Sequence, residues 1–174
     1  VARTGFLEWL AIRSVRLSRG EPFRLLILLA LVTAVLSAFL DNVTTVVLTT
    51  PITLSVARRL DVSPIPYLLA QVFASNIGGA ATLVGDPPNI IIASRADLTF
   101  NDFLIHMAPV VLVVLVAFVA LALWMFRADL RARPEHAEAL AGMDEHSAIT
   151  DRRMLAASVI VLVAIVVGFL TQRQ

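Results

Sequence analysis

Residues 67–90 read YLLAQVFASNIGGAATLVGDPPNI, and this stretch decides the fold. It opens as an apolar helix at Tyr67 and then loses helical character. Asn76, Gly78 and Gly79 are followed by Thr82, Gly85, Asp86, Pro87, Pro88 and Asn89. Two consecutive prolines supply no amide hydrogens, and a proline disfavours helical geometry in the residue before it. Non-helical backbone inside an apolar segment is tolerated at membrane depth only when buried in protein or lining a water-filled cavity. The pattern therefore predicts a discontinuous helix over 66–93.

The composition points to a membrane. Of 174 residues, 59% are apolar and 16% charged, against about 45–50% and about 25% in soluble domains. Fourteen basic and thirteen acidic residues leave a net charge of +1, which gives no electrostatic case for nucleic acid. Every basic residue is arginine. Without lysine there is no Walker A phosphate loop and no Schiff-base chemistry. Without cysteine there are no disulfides, thiolate nucleophiles or cysteine-held zinc.

Three uncharged runs stand out: Leu25–Leu40, Met107–Phe126 and Met154–Leu170, of sixteen, twenty and seventeen residues. A helix needs about 20 residues to cross a hydrocarbon core of ~30 Å. Spans are expected at 107–127 and 153–171, joined by a charged cytoplasmic linker at 128–152. A shorter run, Val43–Ala57, is interrupted by Pro51 and carries Thr44, Thr45, Thr49, Thr50 and Thr53. Eleven of the fourteen arginines fall in three connections, around 13–24, at 58–59 and at 127–153, while Ser94–His106 holds only Arg95. The positive-inside rule places those three connections in the cytoplasm and Ser94–His106 outside.

Both ends of segment 24–57 then lie on the cytoplasmic side, so the chain enters and returns. Two full spans would do this, and so would a re-entrant helical hairpin. The short second arm and the polar tip Asp41-Asn42-Val43-Thr44-Thr45 favour the hairpin. Gly5–Val15 suits an interfacial helix or the inner end of an upstream span. Trp9, Tyr67 and Trp124 lie near span ends, as interfacial aromatics do. The chain begins at Val1 and stops four residues after a span, and is expected to be a fragment of an all-α integral membrane protein.

Asp41 and Asp86 are the two carboxylates expected at membrane depth, where an acidic residue costs at least ~2.5–3.5 kcal/mol. Such residues face a cavity or a partner, unless they cap helices or sit in turns near an interface. Asp41, Asn42, Thr44 and Thr45 offer the hard oxygens that alkali cations prefer, and Ser37 lies one turn before them. Asn76, Gly78, Gly79, Thr82, Gly85 and Asn89 form a second polar patch. A broken helix offers unpaired amides at one half-end and carbonyls at the other, and a tip meeting such a break is how secondary transporters build binding sites.

SAFLDNVTT (Ser37–Thr45) and ASNIGGAATLVGDPPNI (Ala74–Ile90) resemble the arsenite and sodium/proton antiporter permeases. These belong to the ion transporter superfamily, with citrate permeases, divalent anion–sodium symporters and the melanosomal P protein. Thr4–Leu26 and Leu98–Val110 look like the same family. The resemblance implies a multi-pass, elevator-type inverted-repeat transporter, usually dimeric, with a hairpin and a discontinuous helix in each repeat; only one repeat is present here. It implies a non-enzymatic permease in a bacterial inner membrane, needing no cofactor beyond coupling Na+ or H+. Arsenite, sodium/proton exchange and citrate or dicarboxylate are its substrate classes, by symport or antiport. In the symporters a serine-asparagine-threonine motif at the tip helps bind sodium, which points to Asn42, Thr44 and Gly85. Here aspartate replaces the serine and valine is inserted, and the added carboxylate suits proton coupling.

Two other readings compete. An intramembrane aspartyl protease would pair Asp41 with Asp86 around a shared proton, yet Leu83 stands where that motif expects glycine. A membrane scaffold or channel subunit would show no saturable exchange. His136 and His146 lie in the charged linker without neighbouring ligands and are read as solvated.

Overall fold

The structure is a computed structural model that describes residues 21–130 together with Arg13, Leu17, Ser18, Ile160, Ala164 and Gly168. The expected linker beyond residue 130, the span at 153–171 apart from those three positions, and the amino-terminal helix apart from Arg13 lie outside the described residues. Among the described residues all regular structure is helical: α1 Pro22–Ser37, α2 Asn42–Arg59, α3 Ile65–Gly79, α4 Pro87–Ala96 and α5 Phe100–Met125.

Pro22 opens α1, where its fixed φ suits the first turn and its missing amide hydrogen costs nothing. Glu21 and Arg24 pair at 2.6 Å beside it. The helix stops at Ser37, and a turn through Ala38–Leu40 reverses the chain. Asp41 then caps α2, its carboxylate accepting from the Thr44 amide at 2.8 Å. Arg58 and Arg59 occupy the last turn of α2, so the arginine-bearing ends of α1 and α2 mark one end of the pair.

Pro51 lies inside α2 and removes a backbone donor there. Threonine hydroxyls gather around it. Thr49 donates to the Thr45 carbonyl at 2.9 Å and Thr50 to the Val46 carbonyl at 2.7 Å, while Thr53 shares its one hydrogen between the Thr49 carbonyl at 3.2 Å and Gln71 Oε1 at 2.8 Å. Back-bonding of this kind gives the hydroxyls partners inside an apolar helix; the carbonyl that Pro51 leaves without an amide is that of Val47, which these bonds do not reach. The threonine-rich composition is thereby explained within the helix itself.

Contacts fix the directions of the first three helices. Thr33 bonds Gln71, Ala34 touches Gly78, and Ser37 touches Gly79, so α1 and α3 run parallel. Thr53 bonds Gln71 and Asn42 bonds Asn76, so α2 runs antiparallel to α3. Small side chains allow the close approach: Ala30, Ala34, Ala70 and Ala74 are all buried in the α1–α3 seam. Without water to drive helices together, such small-residue seams carry membrane helix packing by van der Waals contact. Leu115 and Ala122 of α5 close the same core, and Phe73 meets Phe118 with ring centroids 5.5 Å apart.

Gln71 sits in the middle of this core, 1% exposed. Its Oε1 accepts from Thr53 at 2.8 Å and its Nε2 donates to Thr33 at 3.3 Å, joining three helices. Gln71→Leu leaves two buried hydroxyls without that partner. It is expected to lower stability by about 1–2 kcal/mol, read as a lower melting temperature in detergent. An unchanged melt would show that the amide does not hold the helices together.

α5 differs from the expected span at 107–127 by starting at Phe100. The cause is local. Thr99 and Asp102 form a capping box, with the Asp102 amide donating to Thr99 Oγ1 at 3.2 Å and the Thr99 amide donating to the Asp102 carboxylate at 3.0 Å. The helix therefore gains a polar first turn ahead of its apolar run. Its 26 residues are long and apolar enough to cross a membrane, and its outer face is apolar, with Val113 70% and Trp124 64% exposed.

Candidate functional site

The carboxyl ends of α1 and α3 stop side by side, and the site lies where they stop. At ~1.5 Å per residue α1 is roughly 24 Å long and α3 roughly 22 Å, each short of a ~30 Å core. Beyond α3 the chain turns irregularly through residues 80–86 before α4 begins at Pro87. The hairpin turn and this break face each other.

Three backbones meet there. A Cβ added to Gly85 would lie 2.5 Å from the Gly79 carbonyl oxygen and 2.6 Å from that of Ser37. One added to Gly79 would lie 2.9 Å from the Gly85 carbonyl oxygen and 3.3 Å from Ser37 Oγ. Thr82, 2% exposed, donates its hydroxyl to the Ala38 carbonyl and accepts from the amides of Gly85 at 3.1 Å and Val84 at 3.3 Å. Asn89 Nδ2 donates to the carbonyls of Gly79 at 3.1 Å and Thr82 at 2.8 Å. Ser37 Oγ is buried within this knot and has no hydrogen-bond partner.

A second contact lies toward the surface. Asn42 Nδ2 donates to Asn76 Oδ1 at 2.7 Å, while Asn76 Nδ2 donates to the Val72 carbonyl at 3.1 Å. Beside this pair runs an open groove of about 210 Å³ whose walls include Val43, Val46, Val47 and Val72. Thr44 is exposed on the first turn of α2. Thr45 is buried and its hydroxyl donates to the Asp41 carbonyl at 2.9 Å.

The sequence-predicted residues thus divide. Ser37, Gly79, Thr82, Gly85 and Asn89 form the buried knot, while Asn42 and Asn76 form the exposed clasp. Gly78 belongs to neither, because its missing side chain faces the Ala34 backbone in the helix seam. Asp41 caps α2. Asp86 precedes α4 in extended conformation, and its side chain makes no capping bond. Asp41 is engaged with the Thr44 amide at the start of α2, and Asp86 stands at the start of α4, so each carboxylate sits at a helix N-cap. The Asn42, Thr44 and Gly85 set splits as well: Gly85 is enclosed in the knot, and the other two sit on the outer turn of α2. Gln71 and Thr33 were missed by sequence reasoning, though a lone amide in an apolar run is itself a signal. Among the described residues, no three histidines, aspartates or glutamates gather into a metal-holding cluster.

The helix starts at the site offer little to an anion. At α2 the Val43 amide donates to Asn42 Oδ1 and the Thr44 amide to Asp41, both at 2.8 Å. At α4 the first two residues are Pro87 and Pro88, and the Asn89 amide donates to the Asp86 carbonyl at 3.0 Å. Helix N-termini bind anions through free amides, and here those amides are engaged or missing. What remains on offer is carboxylate, carbonyl and side-chain oxygen.

Residues 1–173 match the citrate transporter family. The chain belongs to that family. An uncharacterized transporter of Mycobacterium tuberculosis (strain ATCC 25618 / H37Rv) is 54% identical over 167 residues, 96% of this chain and 39% of the relative. A 46 kDa membrane protein of Mycobacterium leprae is 51% identical over 168 residues, 97% of this chain and 39% of that protein. The human P protein is 47% identical over 128 residues, 70% of this chain and 15% of its own length. The chain therefore spans about two-fifths of the mycobacterial relatives it matches. Family membership makes it an integral membrane chain, and among the described residues α5 is the helix long and apolar enough to span.

Proposed function

We propose that this chain forms one part of a secondary transporter, non-enzymatic, that moves a small ion or organic anion, driven by coupling to a proton or sodium gradient. The observation that carries this is the meeting of the α1–α2 turn with the break between α3 and α4, bridged by Asn42 and Asn76 at 2.7 Å. Two interrupted helices ending at one depth are the arrangement from which transporters build midplane sites. The ~24 Å length of α1 and the polar turn at Asp41 support a re-entrant hairpin whose arginine-bearing ends face the cytoplasm; α2, at 18 residues, is longer than the short second arm the sequence suggests. In the complete protein, a homodimer in a bacterial inner membrane, the remaining sequence supplies the other half of the site.

Within that site, this part holds the coupling cation. Its engaged helix starts disfavour an anion, while Asp41, Asp86 and the clasp offer oxygens. Asp41 is the proton or cation ligand, and Asn42, Thr44 and Asn76 line the approach. The organic anion makes its main contacts elsewhere in the complete protein, and citrate, by the family's name, is the first substrate to test, ahead of arsenite and sodium/proton exchange.

The test is uptake by the full-length parent in proteoliposomes, with labelled citrate, arsenite or sodium and with imposed proton or sodium gradients. Saturable uptake that follows one of the gradients is expected. Uptake no faster than in protein-free vesicles for every substrate would remove the proposal.

A further inference from the structure

We infer that Thr82 is a positioning residue that keeps the hairpin tip fastened to the helix break throughout the transport cycle, with Asn89 holding the break in shape behind it, so that the ligand reaches the site along the Asn42–Asn76 face and the tip does not lift. This rests on the transporter reading above and assigns these two residues a role different from that of ligand.

Saturation is the first argument. The Thr82 hydroxyl donates once, to Ala38, and accepts twice, from Gly85 and Val84. A hydroxyl has one donor and two acceptor positions, so none is left for a ligand. Both hydrogens of the Asn89 amide are committed, to Gly79 and Thr82, so its nitrogen has no donor left for a ligand. These bonds span 44 residues between tip and break, and seven and ten residues within it.

Space is the second argument. Between Ser37, Gly79 and Gly85 there is no room even for a methyl group, because it would meet backbone oxygens at 2.5–2.9 Å. A ligand therefore has no seat between tip and break unless the two separate. Separation would break the buried Thr82–Ala38 bond and unseat the close backbone contacts of Gly79 and Gly85, and a buried hydrogen bond left unmade is costly. The clasp behaves differently. Asn42 and Asn76 are more exposed, lie beside the open groove, and can exchange their mutual bond for a ligand.

The experiment uses the full-length parent with its other cysteines replaced; this part of the chain has none. Ala38 and Thr82 are both changed to cysteine and joined by oxidation or a short bis-maleimide. The joined protein is expected to retain gradient-driven uptake within about twofold of the unjoined form. Loss of uptake on joining, with recovery on cleavage of the disulfide, would overturn the inference.

A second arm does not depend on transport. Ser37→Cys removes no hydrogen bond, because the hydroxyl has no partner. The thiol is expected to stay unlabelled by a membrane-impermeant maleimide in the presence or absence of either gradient. Labelling that rises when a gradient and substrate are supplied would show the tip lifting. Should the parent move no substrate, the transporter reading falls by itself, and the labelling still decides whether tip and break separate.

Discussion

Replacing Gly78 by alanine is expected to force α1 away from α3 and to leave little folded protein. The added Cβ would lie 2.1 Å from the Ala34 carbonyl oxygen, 2.5 Å from its Cα and 2.6 Å from its carbonyl carbon. All three are backbone atoms of a regular helix, so no side chain can rotate aside to make room. Overpacking a well-fitted core costs typically 1–3 kcal/mol, and here the neighbour that must move is a whole helix. Its displacement would also stretch the Thr33–Gln71 bond and open the contact between Ser37 and Gly79. A loss of about 3 kcal/mol or more follows, a large share of the 5–15 kcal/mol typical of a folded protein. Size-exclusion monodispersity and a thermal melt of the detergent-solubilised protein would measure it. A variant that elutes and melts like the parent would show that α1 and α3 are not packed in this register.

Gly78 also marks the limit of what the sequence discloses. The break in residues 76–89 is legible because glycine pairs and paired prolines act locally on the backbone. The turn near Asp41 is legible for a similar reason, as an N-cap signal between two apolar runs. What Gly78 does depends on Ala34, 44 positions earlier, and nothing local distinguishes a glycine that seats a helix from one that admits a ligand. The same holds for Thr82, whose partner Ala38 appears only once the hairpin folds back on the break. Thr45 is offered as a ligand by its place beside Asp41, and its hydroxyl hydrogen goes to the Asp41 carbonyl, as those of Thr49 and Thr50 go to carbonyls one turn back. Gln71 was concealed by its setting, since one amide hardly alters the hydropathy of a run that is otherwise apolar.

The division between knot and clasp isolates the effect of one charge, at Asp41. Asp41→Asn keeps an oxygen that can accept from the Thr44 amide, now at 2.8 Å from the carboxylate. Asparagine and aspartate are about equally good N-caps, and losing the charge beside the helix dipole costs about 1 kcal/mol or less. The hairpin should therefore fold as before, with a melting temperature close to that of the parent. What the substitution removes is a group that can bind a proton or a cation directly. If Asp41 carries the coupling ion, gradient-driven uptake should fall at least tenfold, and what remains should lose its dependence on pH across the carboxylate range. Asp41→Ala makes the complementary comparison: it loses charge and cap together, so its melt should fall while its transport defect matches that of Asp41→Asn. Parental uptake and pH dependence in a well-folded Asp41→Asn protein would place the coupling ion elsewhere, and Asp86, whose side chain makes no capping bond, would be the next carboxylate to examine.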